Sequence, residues 1–516
     1  MNPRKLLDSS SLHLNFVGNL SGRLWLGILN LVTIPIFVYL LGTDSFGIVS
    51  LVATLQSVLA LFDFGLAGTA NREIAMARAA EDRDHIANTV RTFELIYWVI
   101  ALVISLCFAG LSGWIAYSWV TKQSQSPVNI RTAIILGGIA IGARWPVALY
   151  TGILQGLERQ VLQNGILVVA ATTRVGLTIA LLLFISSTVY CFLFTQAVMN
   201  VMEAALSGYV VYRLANSGGK GRFNLAVIQR VWRFAVGFNL IGTFGMLISG
   251  APQLLISKLL ALVELTYYSV AATATGALQL FNVAVQTSLF PRMCSCWQQR
   301  DLEMMRSLYL SGLRFTIYVC MPPAMILCFY SSEVLSLWTR SFELTYHVRS
   351  LLPLMSIAIL ANCANAAPLN VVLASGHTRL PLIVNAVSFP FMVAGCYFAI
   401  RSFGIYGAAV CWLAFNVISF IIYGQYCFIK ILHGRQPFLW GIPLELLFIG
   451  GIVGFVSKGF LPLHPKTIIL ICWLSLIMTS AYVGGFLVLK KDERCMFYTM
   501  IKKTLFHSKP VPQIES

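Results

Sequence analysis

Five ionisable side chains stand inside long apolar runs of this 516-residue sequence: Arg23, Asp63, Arg144, Arg174 and Glu203. A charge in such a setting is costly and persists only with a partner or a task. Arg144 and Arg174 fall near the middle of their runs, and a guanidinium there has two readings. One is a cation of the substrate path that meets a diphosphate or an acidic sugar, because its planar fork matches phosphate and carboxylate oxygens. The other is a salt bridge within a helical bundle, for which Glu203 is the candidate partner of Arg144. Arg23 lies in the first run and Asp63 near the end of the second, at similar depth if the chain crosses and returns. They are expected to form a gating or structural pair. Lys258, Glu333 and Lys458 sit near run ends, where side chains reaching for the interface account for them.

Uncharged polar residues recur on single faces. Asn15, Asn19, Arg23 and Asn30 form one set, Asn239, Thr243, Gln253 and Ser257 a second, and Thr275, Gln279, Asn282 and Gln286 a third. Spacings of three, four and seven bring each set to one side of a helix. The plain use of such groups is hydrogen bonding between helices. Three stripes together predict a wet cavity, so Asn19, Asn239, Gln253, Gln279 and Asn282 join the two central arginines as substrate-path candidates. Catalytic chemistry finds no comparable footing. Most of the 12 cysteines lie in apolar runs and read as small hydrophobes. The close pair Cys294 and Cys296 has no second pair or His cluster at ligand spacing, so no metal is expected. No nucleotide-binding loop occurs, no cofactor is expected, and His347 and His464 stand alone in turns.

These residues need elements to hold them, and composition says which. The chain is 58% hydrophobic and 11% charged, where soluble domains carry roughly 25% charged residues. Lipid must therefore be the solvent for much of the surface. About 20 apolar residues cross a bilayer as helix. Fourteen stretches qualify, near 17–41, 46–68, 93–121, 132–156, 165–186, 188–212, 234–258, 266–291, 315–339, 350–374, 381–400, 404–428, 441–460 and 466–489. With the N-terminus inside, the inner connections hold 25 Lys and Arg and the outer ones 6. This asymmetry predicts that both termini are cytoplasmic. The net charge of +17 is then mostly a topology signal, with anionic lipid at the inner face as partner and no role for nucleic acid. The N-terminus reads as a retained cytoplasmic cap, and the charged segment 69–92 as a short cytoplasmic surface helix or a solvated connector, the connector being favoured. Tryptophans and tyrosines near span ends, such as Trp114, Trp119 and Tyr346, form an interfacial belt.

One offset recurs. Asn19 and Asn239, Arg72 and Arg292, Gly156 and Gly376, and Arg159 and Arg379 are each 220 residues apart. The expected fold is therefore all-α and integral to the membrane, with about 14 transmembrane helices. A first six-helix bundle spans 1–212, a linker 213–233, and a second six-helix bundle related to the first 234–428. Two additional helices follow at 441–489, and then a basic cytoplasmic tail at 490–516. Halves in the same orientation suit transport by alternating access.

Particular residues carry a resemblance as well. Asn15-Phe-Val-Gly-Asn opens the chain, followed by Ile34-Pro-Ile-Phe-Val-Tyr-Leu-Leu-Gly-Thr, Phe46-Gly-Ile, Phe62-Asp-Phe-Gly-Leu and Arg72-Glu-Ile-Ala. The second half echoes them with Trp232-Arg-Phe, Asn239 and Tyr267-Tyr. In these segments the chain resembles the polysaccharide transporter family, the Wzx-type oligosaccharide (O-antigen) flippases of the multidrug/oligosaccharidyl-lipid/polysaccharide exporter superfamily. The resemblance extends over the chain, with the diagnostic residues concentrated in 15–75. It implies two helical bundles around a cavity in the bacterial inner membrane. It also implies flipping of an undecaprenyl-diphosphate-linked oligosaccharide from the cytoplasmic to the periplasmic leaflet, for surface polysaccharide synthesis. Polysaccharide polymerase and chain-length machinery are the protein partners it suggests.

Two other functions compete. A multidrug exporter of the same superfamily takes organic cations and calls for an excess of buried carboxylates, whereas the most central charges here are arginines. A membrane glycan polymerase or acyltransferase needs catalytic groups at the outer water interface. The outer segment 122–131 has neither a His nor a carboxylate. A non-enzymatic transporter is the leading expectation.

Overall fold

The computed structural model describes residues 9–63, 65–120, 126–215, 221–223, 240–433, 444–460 and 467–488, with side chains from Ser21 onward except at a few positions, Arg23 among them. Apolar runs become helices wherever the backbone has nothing else to bond with in lipid. Among the described residues, eleven helices are long and apolar enough to cross a membrane. Over its described residues each of the fourteen expected stretches is largely helical, but three fall short of a full span. Thr43–Leu59 has 17 residues and Leu444–Gly459 has 16. The stretch expected at 266–291 is broken into Leu262–Gly276 and Leu278–Gln299. Glycine at 276 adds no side-chain packing to hold a helix together, and the hydrophobic signal runs across the break without marking it.

The chain forms two compact units. Unit 1 comprises residues 1–274, 339–351 and 381–412, and unit 2 comprises 275–338, 352–380 and 413–516. Unit 1 opens with α1 (Ser9–Leu41), α2 (Thr43–Leu59), α3 (Leu66–Ala79), α4 (Arg83–Trp114), α5 (Pro127–Gly156), α6 (Gln160–Phe184) and α7 (Val189–Ala215). Its centre is α5, which packs against α3, α4 and α7. Glycines make this possible. A Cβ on Gly142 would stand 2.3 Å from Ser105 Oγ and 2.6 Å from the Ala101 carbonyl oxygen, and one on Gly152 2.4 Å from the Ala67 carbonyl oxygen. Backbone meets backbone at both points. The connector expected at 69–92 is instead largely helical. Ala70, Ile74 and Ala77 are buried at spacings of four and three, which gives α3 an apolar face to bury. Asp82 then caps α4, accepting from the His85 N–H at 2.9 Å.

Unit 2 builds its core on Leu302–Phe329, where Met305, Tyr309, Leu313 and Ile317 are buried with Val371, Val372 and Phe428. The last two helices, Leu444–Gly459 and Thr467–Val488, both pack on Leu302–Phe329. Arg314 pairs with Glu445 at 3.0 Å. Lys458 and Glu333, expected to reach separately for the interface, pair with each other. Two near-end charges of opposite sign satisfy one another at less desolvation cost than either would bear alone.

Candidate functional site

The central charges of unit 1 converge. Arg144 projects from α5, Arg174 from α6 and Glu203 from α7, and both guanidiniums reach the same carboxylate oxygen. Arg174 Nη2 is bonded to Glu203 Oε2, and Arg144 Nη1 lies 3.6 Å from it. The side chains are 14%, 34% and 2% exposed for Arg174, Arg144 and Glu203 respectively. One carboxylate thus serves two cations, and the cluster keeps a net positive charge. Arg174 is the nearer partner, so Arg144 is the less neutralised of the two. Its Nη1 also approaches Asn200 Oδ1 at 3.4 Å, while Asn200 Nδ2 donates to the Ala140 carbonyl at 2.9 Å and is thereby held in place.

All three charges line a cavity of about 600 Å³. Two guanidiniums and one carboxylate line it. Among the described residues Arg174 Nε is buried without a hydrogen-bond partner and Arg144 bonds through Nη1 alone. Gln253 lines the same cavity from the helix Leu240–Leu259, with Thr54 Oγ1 of α2 at 3.2 Å from its Oε1. Gln196, Asn200 and Glu203 form a polar stripe on α7 at spacings of four and three. That stripe was open to the same reading as the others, yet only Glu203 stood out, because charge is the louder signal in an apolar run.

Asp63 lies where α2 gives way to α3. It accepts from the Tyr97 hydroxyl and, at 3.3 Å, from the Ala67 N–H. The side chain of Arg23, its expected partner, lies outside the described residues, as do the side chain of Asn19 and the whole of Asn239. Asp63 shares a second cavity, of about 380 Å³, with Arg144.

Gln279 and Asn282 belong to unit 2, in a chain of side-chain amides. Asn370 donates to Gln286 Oε1 at 2.7 Å, Gln286 to Asn282 Oδ1 at 3.2 Å, and Asn282 to Gln279 Oε1 at 3.2 Å. Gln279 donates to Asn362, which donates to Asn416 Oδ1 at 2.6 Å. Every amide in the chain donates to the next. No formal charge enters it.

Residues 15–297 match the family of polysaccharide biosynthesis proteins, more than half of the chain. The chain belongs to that family. Residues 240–398 also match the MatE family. This polysaccharide biosynthesis protein is 23% identical over 404 residues to a putative O-antigen transporter of Shigella flexneri, covering 77% of this chain and 93% of that one. Its fold is similar to that of the lipid II flippase MurJ in an inward closed conformation, with a TM-score of 0.66, 14% identity, and coverage of 95% and 99%. It is similar also to an inward-facing multidrug resistance MATE family transporter of the MOP superfamily, with a TM-score of 0.62, 14% identity, and coverage of 80% and 93%. The protein is a multi-pass membrane protein of the polysaccharide biosynthesis family, and the resemblance carried by its opening residues holds.

Proposed function

We propose that the protein flips a lipid-linked oligosaccharide from the cytoplasmic to the periplasmic leaflet of the bacterial inner membrane, with both of its termini cytoplasmic. Its cargo is an undecaprenyl diphosphate carrying the repeat unit of a surface polysaccharide such as O-antigen. The observation that carries this reading is the surplus of guanidinium donors in the cavity of unit 1, where Arg144 and Arg174 share one carboxylate. A diphosphate supplies what the cluster lacks, namely negative charge and several acceptor oxygens arranged for fork-like recognition. The structural likeness to drug exporters fits organic cations less well, because a cation would meet two arginines against one glutamate.

In this reading Arg144 meets the diphosphate, Arg174 sets the field and holds Glu203, and Gln253 contributes neutral contacts. Gln279 and Asn282, with Asn19 and Asn239, line the remainder of the path. The duplicated bundles at 1–212 and 234–428 are the moving parts of alternating access. Anionic lipids at the cytoplasmic face steady the basic connections, and a polymerase with its chain-length machinery receives the product. The test is complementation of surface-glycan display, normalised to the level of membrane-inserted protein. Arg144→Ala abolishes display, and Arg144→Lys, which keeps the charge and loses the fork, leaves part of it. Normal display by a well-inserted Arg144→Ala protein refutes the reading.

A further inference from the structure

Two turns of unit 1 are built alike. Where α3 gives way to α4, the Glu81 N–H donates to the Arg78 carbonyl at 3.1 Å and the Asp82 N–H to that of Ala77 at 2.9 Å. Where α5 gives way to α6, the Glu158 N–H donates to the Gln155 carbonyl at 2.9 Å and the Arg159 N–H to that of Leu154 at 2.8 Å. Glu81 and Glu158 both stand at a φ of 56°, the left-handed position that closes a helix and that glycine fills at less cost. An arginine follows each, Arg83 opening α4 and Arg159 preceding α6. Arg78 ties the turns together. Its Nη1 donates to the Leu157 carbonyl at 2.8 Å and meets Glu158 Oε2 at 2.7 Å.

Both turns and the end of α7 line a cavity of about 460 Å³, with Arg78, Arg83, Arg159 and Glu81 in its wall beside the apolar Ile86, Leu157 and Leu214. Three guanidiniums stand there against one carboxylate. Two helices end and two begin at these turns, so their dipoles offset one another and the positive charge is that of the side chains. The Arg159 guanidinium has no hydrogen bond or ion pair among the described residues. Such a wall repels a cation. A bare acyl chain leaves the guanidiniums unserved, and a small soluble anion gains nothing from the apolar side chains. A phosphodiester carrying acyl chains answers both, and basic pockets among helix ends suit headgroups of this kind. We infer that this cavity binds the headgroup of an anionic phospholipid of the cytoplasmic leaflet, with Arg83 and Arg159 on its phosphate and the lipid bridging the two turns. The inference gives a place to the anionic-lipid contact proposed above and rests on that reading for the leaflet alone. Binding in detergent is blind to leaflet and cargo, so the two fail separately.

The test is equilibrium binding of dioctanoyl phosphatidylglycerol and dioctanoyl phosphatidylcholine to the purified full-length protein in detergent. The wild type binds the anionic lipid about tenfold more tightly. Arg83→Gln and Arg159→Gln each weaken binding of phosphatidylglycerol by about fivefold, the effect of one basic residue near an anionic headgroup, and leave phosphatidylcholine unaffected. Glu81→Gln removes the opposing carboxylate and tightens phosphatidylglycerol binding, a gain that misfolding cannot produce. Arg379→Gln removes an exposed arginine of unit 2, 220 residues beyond Arg159, and changes neither affinity. Equal wild-type affinity for the two lipids overturns the inference, as does unchanged phosphatidylglycerol binding in all of the cavity variants. A loss as large in Arg379→Gln marks a diffuse attraction to basic surface and overturns it too. If glycerol 3-phosphate binds as tightly as phosphatidylglycerol, the occupant is a soluble phosphate ester and the assignment to lipid falls. Normal display by Arg144→Ala refutes the cargo reading alone and leaves phosphatidylglycerol binding at this cavity as the measure of the inference.

Discussion

Unit 1 and unit 2 both bury polar side chains among apolar ones, and they satisfy them by opposite means. In unit 1 a carboxylate is shared by two guanidiniums, so the cluster cannot close on itself. In unit 2 six amides run from Asn370 to Asn416, each donating to the next. An amide both donates and accepts, whereas a guanidinium only donates. A row of amides can therefore complete its own bonding, and a pair of arginines needs an acceptor from elsewhere. The difference separates a row whose bonds are already made from a cluster that waits for a ligand. Among residues of similar depth, an unbalanced donor count is a better guide to the substrate than polarity alone.

The comparison can be broken most sharply at Glu203. Glu203→Gln leaves two buried cations without their anion, a loss of about 3–5 kcal/mol when one partner of a buried pair is removed. Membrane-inserted yield and melting temperature should fall steeply, and adding Arg174→Met should recover most of the loss. A stable Glu203→Gln protein would mean that the arginines are served by some other acceptor. Gly142→Ala probes the scaffold instead. Its methyl group meets main chain and a neighbouring serine, and overpacking of this kind costs about 1–3 kcal/mol, read as a lower melting temperature.

In unit 2, Gln286→Leu strands Asn370, Asn282 and Thr316 together. A cost of about 1–3 kcal/mol is expected for buried groups left unpaired. Asn370→Leu, at the end of the row, takes only the donor to Gln286 Oε1 from it and should cost less than Gln286→Leu. Equal losses would argue against a continuous row. The smallest effect is expected for Lys458→Met, which breaks a partly exposed pair with Glu333 and should cost about 1 kcal/mol. A double-mutant cycle with Glu333→Gln measures it.

The helices of both units were legible because lipid forces apolar runs into helix, and the central charges were legible because they interrupt those runs. Rotation about the helix axis was not. Depth alone brings Arg144 and Arg174 equally near Glu203, and only the packing of α6 against α7 makes Arg174 the closer partner. The α3 segment was misread because its charges hide a narrow buried stripe at Ala70, Ile74 and Ala77. Gly156 and Gly376 share an offset of 220 but not a duty. Gly156 lets α5 approach the Asn71 carbonyl, whereas Gly376 turns the chain at a φ of +80° with nothing near it. Trp145 gave no signal in the sequence, since an indole in an apolar run reads as packing, and the lack of an acceptor for its buried N–H among the described residues is a property of the folded surroundings.

The direct contact of α5 with its neighbours also determines how finely Arg144 is placed. Where Gly142 meets the Ala101 carbonyl, and Gly152 that of Ala67, no rotamer stands between the arginine-bearing backbone and the framework of α3 and α4. Outward side chains such as Leu106 and Val169, both well exposed, can be exchanged for other apolar residues without moving that framework. Functional survivors of random mutagenesis should therefore be ragged across the lipid-facing surface and nearly blank along one line of α5. That line would record the tolerance, in fractions of an ångström, to which the arginine is set.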